Sequence, residues 1–409
     1  MQPQAVAFKN VDIFFGPKPK EAARLAREGQ RREDILKTTG TVLGVTDCTL
    51  DVAPGEVCVL MGLSGSGKST LLRAVNGLNP VTSGEVLVAD GDKFVNVAAC
   101  KPRVLRGLRR RRVAMVFQQF GLLPWATVAE NVGLGLELRG TAAAERGRIV
   151  KEKLDLVGLS NWADKRIEEL SGGMQQRVGL ARAFATDADV LLMDEPFSAL
   201  DPLIRSRLQD ELLDLQRQLK KTIVFVSHDL DEAIKLGSRI AIMEGGRVVQ
   251  YGTPEAIVLD PATDYVAAFV AHMNPLKVLR AGALMTPKDR LQGDAGARFL
   301  DDAKHGRVVL GDDGEPVAFE AGGRPAALRS WGEGCLEGLN GPTFVWAGPD
   351  LLMEDAIRIR EATGLPVLVV ENDRLQGVVG DAEIYASLLH RVRPREKKQD
   401  MPRAGGRET

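Results

Sequence analysis

Gly62-Leu63-Ser64-Gly65-Ser66-Gly67-Lys68-Ser69 sets a lysine and a hydroxyl at the end of a glycine-rich loop. That is the G-x-x-x-x-G-K-[ST] spacing of a phosphate cradle. Glycines at 62, 65 and 67 allow conformations that turn backbone N–H groups inward toward an anion. The apolar run Val57–Met61 precedes the loop and a helix-favouring run from Thr70 to Asn76 follows it. The loop therefore lies between a strand and the positive end of a helix dipole. There Lys68 reaches the β and γ phosphates and the Ser69 hydroxyl suits Mg²⁺. Ser64, Ser66 and Thr70 complete the phosphate-facing stretch.

A second constellation is Val190-Leu191-Leu192-Met193-Asp194-Glu195, an apolar strand ending in two carboxylates. Asp194 suits a hard cation, which prefers oxygen ligands. Glu195 suits a general base that polarises an attacking water. Neighbouring residues on a strand point to opposite sides, so the two carboxylates need not share one task.

Several elements must position these groups. Residues 5–15 alternate as a strand. Residues 17–40 form an insertion, and Glu21–Lys37 is charged and helix-favouring, read as a solvated surface helix with a docking element as the alternative. Thr41–Val52 and Val57–Met61 are strand-like, and Asp90-Gly91-Asp92 marks a hairpin between Glu85–Ala89 and Lys93–Val97. The four arginines 109–112 read as a solvated helix end. Val113–Phe117 is a buried strand ending at Gln118. Thr127–Leu159 is helical, broken near Gly140, and Ser171-Gly172-Gly173 caps a helix from Met174 to about Thr186. Pro202–Lys220 is helical, Thr222–Val226 is a strand ending near His228, and Asp229 caps another helix. Arg239–Glu244 and Arg247–Tyr251 flank a tight Gly245-Gly246 turn. Strands alternating with helices imply a largely parallel sheet. Its ligands gather at the C-terminal strand ends, where the motif residues fall.

The 409 residues suggest two or three domains, at about 150 residues each. Hydrophobic content of 44% and charged content of 27% are those of an ordinary globular chain. A net charge of −1 gives no field suited to nucleic acid. The four cysteines are scattered without metal-ligand spacing, which fits a reducing compartment. No apolar run approaches the roughly 18 residues that span a bilayer, so a membrane role requires a partner.

Residues 6–251 resemble the nucleotide-binding domain of an ABC transporter. Leu170-Ser171-Gly172-Gly173-Met174-Gln175-Gln176-Arg177 is similar to the family signature, Gln118 to its Q-loop glutamine, Ser198-Ala199-Leu200-Asp201 to its D-loop and His228 to its switch histidine. Phe15, with Phe14 as the alternative, resembles the aromatic that stacks on adenine. Met174 departs from the glutamine usual there. The resemblance implies a P-loop ATPase fold: a mainly parallel sheet with helices, an antiparallel β part, and a helical subdomain over about 127–186. It implies ATP and Mg²⁺ as cofactors, with Ser69, Gln118 and Asp194 about the metal. Glu195, His228 and Gln118 would serve hydrolysis. Ser171, Gly172, Gly173 and Asp201 would act across a homodimer whose two chains close over two ATP.

The insertion, the Phe15-Gly16 start and the leucine in Met61-Gly62-Leu63-Ser64-Gly65 narrow the likeness to glycine betaine, proline betaine and choline uptake ATPases, and within that group the short C-terminal extension is most similar to those for choline. That group implies integral-membrane permease subunits, indirectly a periplasmic or surface substrate-binding protein, no nucleic acid, and a peripheral place on the cytoplasmic face of the bacterial plasma membrane. Importers of another small solute and soluble ABC ATPases remain the alternatives.

With the ATPase domain taken as 1–274, residues 275–341 resemble a degenerate first CBS-like repeat, with Arg307–Leu310 and Pro316–Phe319 as its hairpin, and 342–391 a second, giving an α+β C-terminal domain. The second reads helix, strand, strand, helix, with a turn at Asn372-Asp373. Gly380 and Glu383 depart from nucleotide-binding CBS patterns. Residues 392–409 read as a basic disordered tail; from Arg391 onward the chain has seven Lys/Arg against three Asp/Glu.

Overall fold

The computed structural model describes residues 4–389, apart from 119–120, 199, 272–273, 295–296, 302–305 and 311–315. The alternating N-terminal run forms β1 (Val6–Phe15). The insertion is two helices, α1 (Pro19–Arg27) and α2 (Arg32–Thr39), where one was expected. Gly29 between them has φ +83°, a conformation that ends a helix readily. The pair is not free in solvent. Ala22, Ala23, Leu25, Ala26 and Ile35 are buried with Phe14 and Leu43. Small residues on α1 allow that close seat.

Next come β2 (Val42–Val52), β3 (Val57–Met61) and α3 (Lys68–Val75). The hairpin β4 (Ser83–Asp90) and β5 (Lys93–Asn96) turns at Asp90-Gly91-Asp92 as expected. The arginine run ends α4 (Pro102–Arg111) and leads into β6 (Val113–Val116). Part of that run is tied down, since Arg112 pairs with Asp90 and Asp189 and Arg109 donates to Asn76 O. Thr127 and Glu130 make a reciprocal capping box that starts α5 (Val128–Arg139). Gly140 ends α5, and α6 (Ala143–Leu156) and α7 (Gly172–Ala185) complete a helical layer with its own core.

Then follow β7 (Val190–Asp194), α8 (Pro202–Leu219), β8 (Thr222–Val226), α9 (Leu230–Leu236), β9 (Arg239–Glu244), β10 (Arg247–Gly252), α10 (Pro254–Leu259) and α11 (Asp264–Val270). Two sheets result. One is antiparallel, ordered β2-β1-β4-β5; the other is ordered β10-β9-β3-β8-β7-β6. In the second, β9, β3, β8, β7 and β6 run parallel. Strands β3, β7 and β8 are buried at every residue, which explains their unbroken apolar sequences.

Residues 1–270 form one unit and 271–409 another. The second opens with the short α12 (Ala281–Leu284) and β11 (Thr286–Pro287). A meander follows: β12 (Gly293–Asp294), β13 (Ala297–Phe299), β14 (Gly306–Leu310), β15 (Pro316–Ala321) and β16 (Arg324–Pro325). The hairpin expected from Arg307–Leu310 and Pro316–Phe319 is present as β14 and β15. Its flanking helices are not: among the described residues, 285–341 hold no α-helix. Recurrent glycines there disfavour helix.

Beyond residue 342 the expected order of helix, strand, strand and helix is present. After β17 (Ala327–Ser330) and β18 (Thr343–Ala347) come α13 (Met353–Thr363), β19 (Val367–Glu371), β20 (Arg374–Val379) and α14 (Asp381–Leu389). Asn372 and Asp373 take φ +51° and +59°, the double left-handed turn that joins β19 to β20. The tail read over 392–409 lies outside the described residues, as does Ala199 of the D-loop stretch.

Candidate functional site

The parallel sheet sets four chain segments side by side at its C-terminal edge. β3 leads into the glycine loop, β8 toward His228, β7 into Glu195 and β6 toward Gln118. Side chains of α3 meet the end of β7 at Asp194, and His228 and Gln118 meet it at Glu195.

The loop's shape depends on its glycines. Gly62 has φ +140° and Gly67 +104°. A Cβ at 62 would lie 2.2 Å from Met243 O, and one at 67 would lie 2.5 Å from Gly44 O. No side chain fits at either position. Lys68 is only 6% exposed, and its Nζ donates to the carbonyls of Gly62 (2.8 Å) and Leu63 (2.9 Å). Burial lowers its pKa from the usual lysine value, and the nearby Glu195 and Asp194 charges oppose that shift.

Asp194 is fully buried. Its Oδ1 accepts from Ser69 Oγ at 2.7 Å. Its Oδ2 accepts two bonds from Arg73, at 3.1 and 2.8 Å. Ser69 and Arg73 stand one turn apart on α3, so one helix face grips the carboxylate. Sequence reasoning passed over Arg73, although its i,i+4 spacing from Ser69 is a visible signal. The Ser69–Asp194 oxygen pair has the chemistry of a hard divalent cation site, with phosphate and water able to supply the other ligands. Among the described residues there is no cluster of three His, Cys, Asp or Glu side chains suited to a metal.

Glu195 takes φ +48°, uncommon for a residue with a side chain. Its backbone is held there: the N–H donates to Val226 O at 3.2 Å, and the carbonyl accepts from Ser198 Oγ at 3.0 Å and Gln176 Nε2 at 3.4 Å. Observed strain of this kind clusters at functional sites. Oε2 of Glu195 accepts from Gln118 Nε2 at 3.1 Å and lies 3.4 Å from His228 Nδ1. Three adjacent strands thus deliver one carboxylate oxygen, one amide and one imidazole to a single point. Gln118 meets Glu195 here, not the Ser69–Asp194 pair.

Phe15 is 37% exposed at the end of β1, whereas Phe14 is 4% exposed and packed under α1. A Cβ at Gly44 would lie 2.9 Å from the Phe15 ring and 3.1 Å from Thr70 Cγ2, which sets the ring beside the start of α3. Of the two phenylalanines only Phe15 can offer a face to a base.

Of the signature and D-loop stretches, Gln176 and Ser198 reach the Glu195 carbonyl, whereas Ser171 and Asp201 serve as local helix caps. Ser171 caps α7, its hydroxyl accepting from Met174 N. Gly172 and Gly173 form the first turn of that helix. Met174 thus keeps the capping contact despite its departure from the usual glutamine. Asp201 caps α8 through Ile204 N. Among the described residues no hydrogen bond joins Ser171 or Asp201 to the cluster around Lys68.

The model of the family described as ABC transporter matches residues 45–198. The chain is 46% identical over 297 residues to the glycine betaine transport ATP-binding protein OpuAA of Bacillus subtilis (strain 168), covering 73% of this chain and 70% of that one. It is 40% identical over 381 residues to the glycine betaine/carnitine transport ATP-binding protein GbuA of Listeria monocytogenes, covering 92% and 95%. It resembles the dimeric, post-hydrolysis ATP-binding cassette MJ0796 bound to ADP and Pi at a TM-score of 0.53 and 30% identity, over 61% of this chain and 98% of that one.

Proposed function

The chain belongs to the ATP-binding subunits of ABC transporters, and from that premise we propose that it hydrolyses ATP to drive uptake of small solutes bearing a methylated, cationic nitrogen. The observation that carries the hydrolytic part is the convergence of Gln118, Glu195 and His228 on one oxygen beside the Lys68 loop. In this reading the loop N–H groups and Lys68 hold the β and γ phosphates. Phe15 stacks on the adenine. Glu195 takes up the proton of the attacking water, while Gln118 orients that water and His228 holds the γ phosphate. Ser69 and Asp194 would hold Mg²⁺, with Gln118 taken as a further ligand, and the bound ion would neutralise charge on the phosphates.

Ser171, Gly172 and Gly173 begin a helix whose N–H groups suit an anion, yet lie apart from the chain's own loop. We assign them, with Asp201, to the ATP of a second copy. The dimeric MJ0796 cassette supports that arrangement. The solute class follows the relatives. Their names carry glycine betaine, proline betaine, carnitine and trimethylamine N-oxide, all with methyl groups on a cationic nitrogen. Choline shares that feature. No helix of the described residues is long and apolar enough to cross a membrane. The reading therefore requires permease subunits, on whose cytoplasmic side this chain docks, and a separate solute-binding protein.

The test is uptake of labelled glycine betaine and choline by vesicles holding the chain with its permease and binding protein. ATP-dependent uptake that Glu195→Gln abolishes is expected. Uptake indifferent to that substitution overturns the hydrolytic role, and copurification with nucleic acid in place of a permease overturns the transport role. In the second unit, the order β18-α13-β19-β20-α14 supports a CBS-like second repeat over 342–391 and the meander a degenerate region over 275–341. Its role is taken as structural, since Glu383 is committed to Thr286 and Gly380.

A further inference from the structure

Among the described residues, three contacts from distant segments hold the backbone of the phosphate loop at 63–66. Gly246 N donates to Ser66 O at 3.1 Å. The Tyr265 hydroxyl on α11 accepts from Leu63 N at 3.3 Å. Arg32, at the first position of α2, donates from Nη1 to Gly65 O at 2.8 Å. Of these three only Arg32 brings a charge. Its helix is anchored: Ile35 is fully buried, and the preceding α1 is tied by Arg27 to the buried Asp12 at 2.7 Å and by Arg247 to Ala26 O at 3.3 Å.

The peptide joining Gly65 to Ser66 is planar. Its carbonyl is held by Arg32, and its N–H donates to Leu63 O at 3.2 Å. The tip of the loop is thus clamped at both ends of one peptide unit. A guanidinium has five N–H donors, so a single bond to Gly65 leaves others, with a permanent charge, at the loop's mouth. A preordered loop loses less freedom when it binds, and a fixed cation favours a polyphosphate.

We propose that Arg32, supplied by the inserted α1–α2 pair, is a positioning residue that raises the loop's affinity for nucleoside di- and triphosphates. It does so by locking the tip through Gly65 and adding positive charge. The inference rests on the ATP-binding reading above.

The test measures ATP and ADP affinity of the full chain by calorimetry for wild type, Arg32→Ala, Arg32→Lys and Lys68→Ala. KM, kcat and the nucleotide-free melting temperature are read alongside. Arg32→Ala should weaken ATP binding about three- to tenfold, the scale of losing one hydrogen bond to a charged donor at an exposed position. KM should move more than kcat, the melting temperature should hold, and Arg32→Lys should recover part of the affinity. Unchanged affinity in Arg32→Ala, a lysine variant no better than alanine, or an affinity loss matched by a fall in melting temperature overturns the proposal. A wild type that binds ATP no better than Lys68→Ala would instead refute the ATP-binding reading itself.

Discussion

Glu195 and Glu383 are both carboxylates placed just beyond an apolar strand, and their surroundings separate them. Glu195 follows β7 in a strained left-handed conformation, with Gln118 and His228 from the neighbouring strand ends converging on Oε2. Glu383 follows β20 and spends both oxygens locally. Oε1 accepts from the Thr286 hydroxyl at 2.5 Å, and Oε2 accepts from Gly380 N at 2.8 Å, the reciprocal half of a helix cap. Beside it, Asp381 is committed to Arg360 through two bonds. The residue type is the same in both units. What differs is whether the partners are themselves reactive groups at the ends of neighbouring strands or the fold's own local donors. A carboxylate used for capping stabilises its helix and has little left for a ligand.

The widest gap between the two should appear in hydrolysis. Glu195→Gln should lower the ATPase rate by about 10²- to 10⁴-fold, the usual worth of general-base assistance, while ATP affinity stays near wild type. Glu383→Ala should leave the rate alone and cost stability of about 1 kcal/mol, the size of a lost cap. Steady-state hydrolysis with urea melts checks both. A Glu383 variant that slows hydrolysis tenfold would break the comparison.

A smaller effect concerns Asp194, which is buried like a structural carboxylate yet sits at the site. Arg73 is its counter-ion, and the arginine side chain is 38% exposed. Removing one partner of a fully buried pair costs about 3–5 kcal/mol. Discounting for that exposure, Arg73→Met should cost about 1–3 kcal/mol in a urea titration, with Arg73→Lys recovering part. A wild-type midpoint for Arg73→Met would mean that Ser69 alone satisfies the carboxylate.

The site was legible where its chemistry is local in sequence. The loop 62–69 and the acidic end of β7 carry their spacing within a few residues, and the strand runs around them are apolar because both faces of the sheet are covered. Phe15 was already preferred to Phe14, and the burial of Phe14 beneath α1 supplies the physical reason. Arg32 and Tyr265 meet the loop across separations of 33 and 202 residues, which no local pattern encodes. The break at Gly29 was visible as a glycine yet was read through, since the flanking charges favour helix. In the second unit the hairpin at Asn372-Asp373 was legible from turn chemistry. Of the meander over 293–325 only the hairpin of β14 and β15 was, because the strands of two or three residues beside it leave no periodicity to read.

The smallest effect tests whether availability, not residue type, also governs the cysteines. Cys48 and Cys58 are fully buried; Cys100 and Cys335 are partly exposed. Burial, with the charge of Asp47 adding to it, pushes the Cys48 thiol up to about 12. Burial likewise drives Cys58 upward, with Glu56 contributing. A thiol in an unfolded chain ionises near 8.5. The folded values are raised, so the neutral thiols favour the folded state below about pH 8.5, and that contribution declines as the pH rises past it. At pH 8, alkylation of the native protein should modify Cys100 and Cys335 within minutes. Cys48 and Cys58 should react only after denaturant is added, bringing the total to four. Mass spectrometry of a time course reads this directly. Rapid native labelling of Cys58, which lies on β3 directly before the phosphate loop, would mean that this strand opens far more often than its complete burial implies.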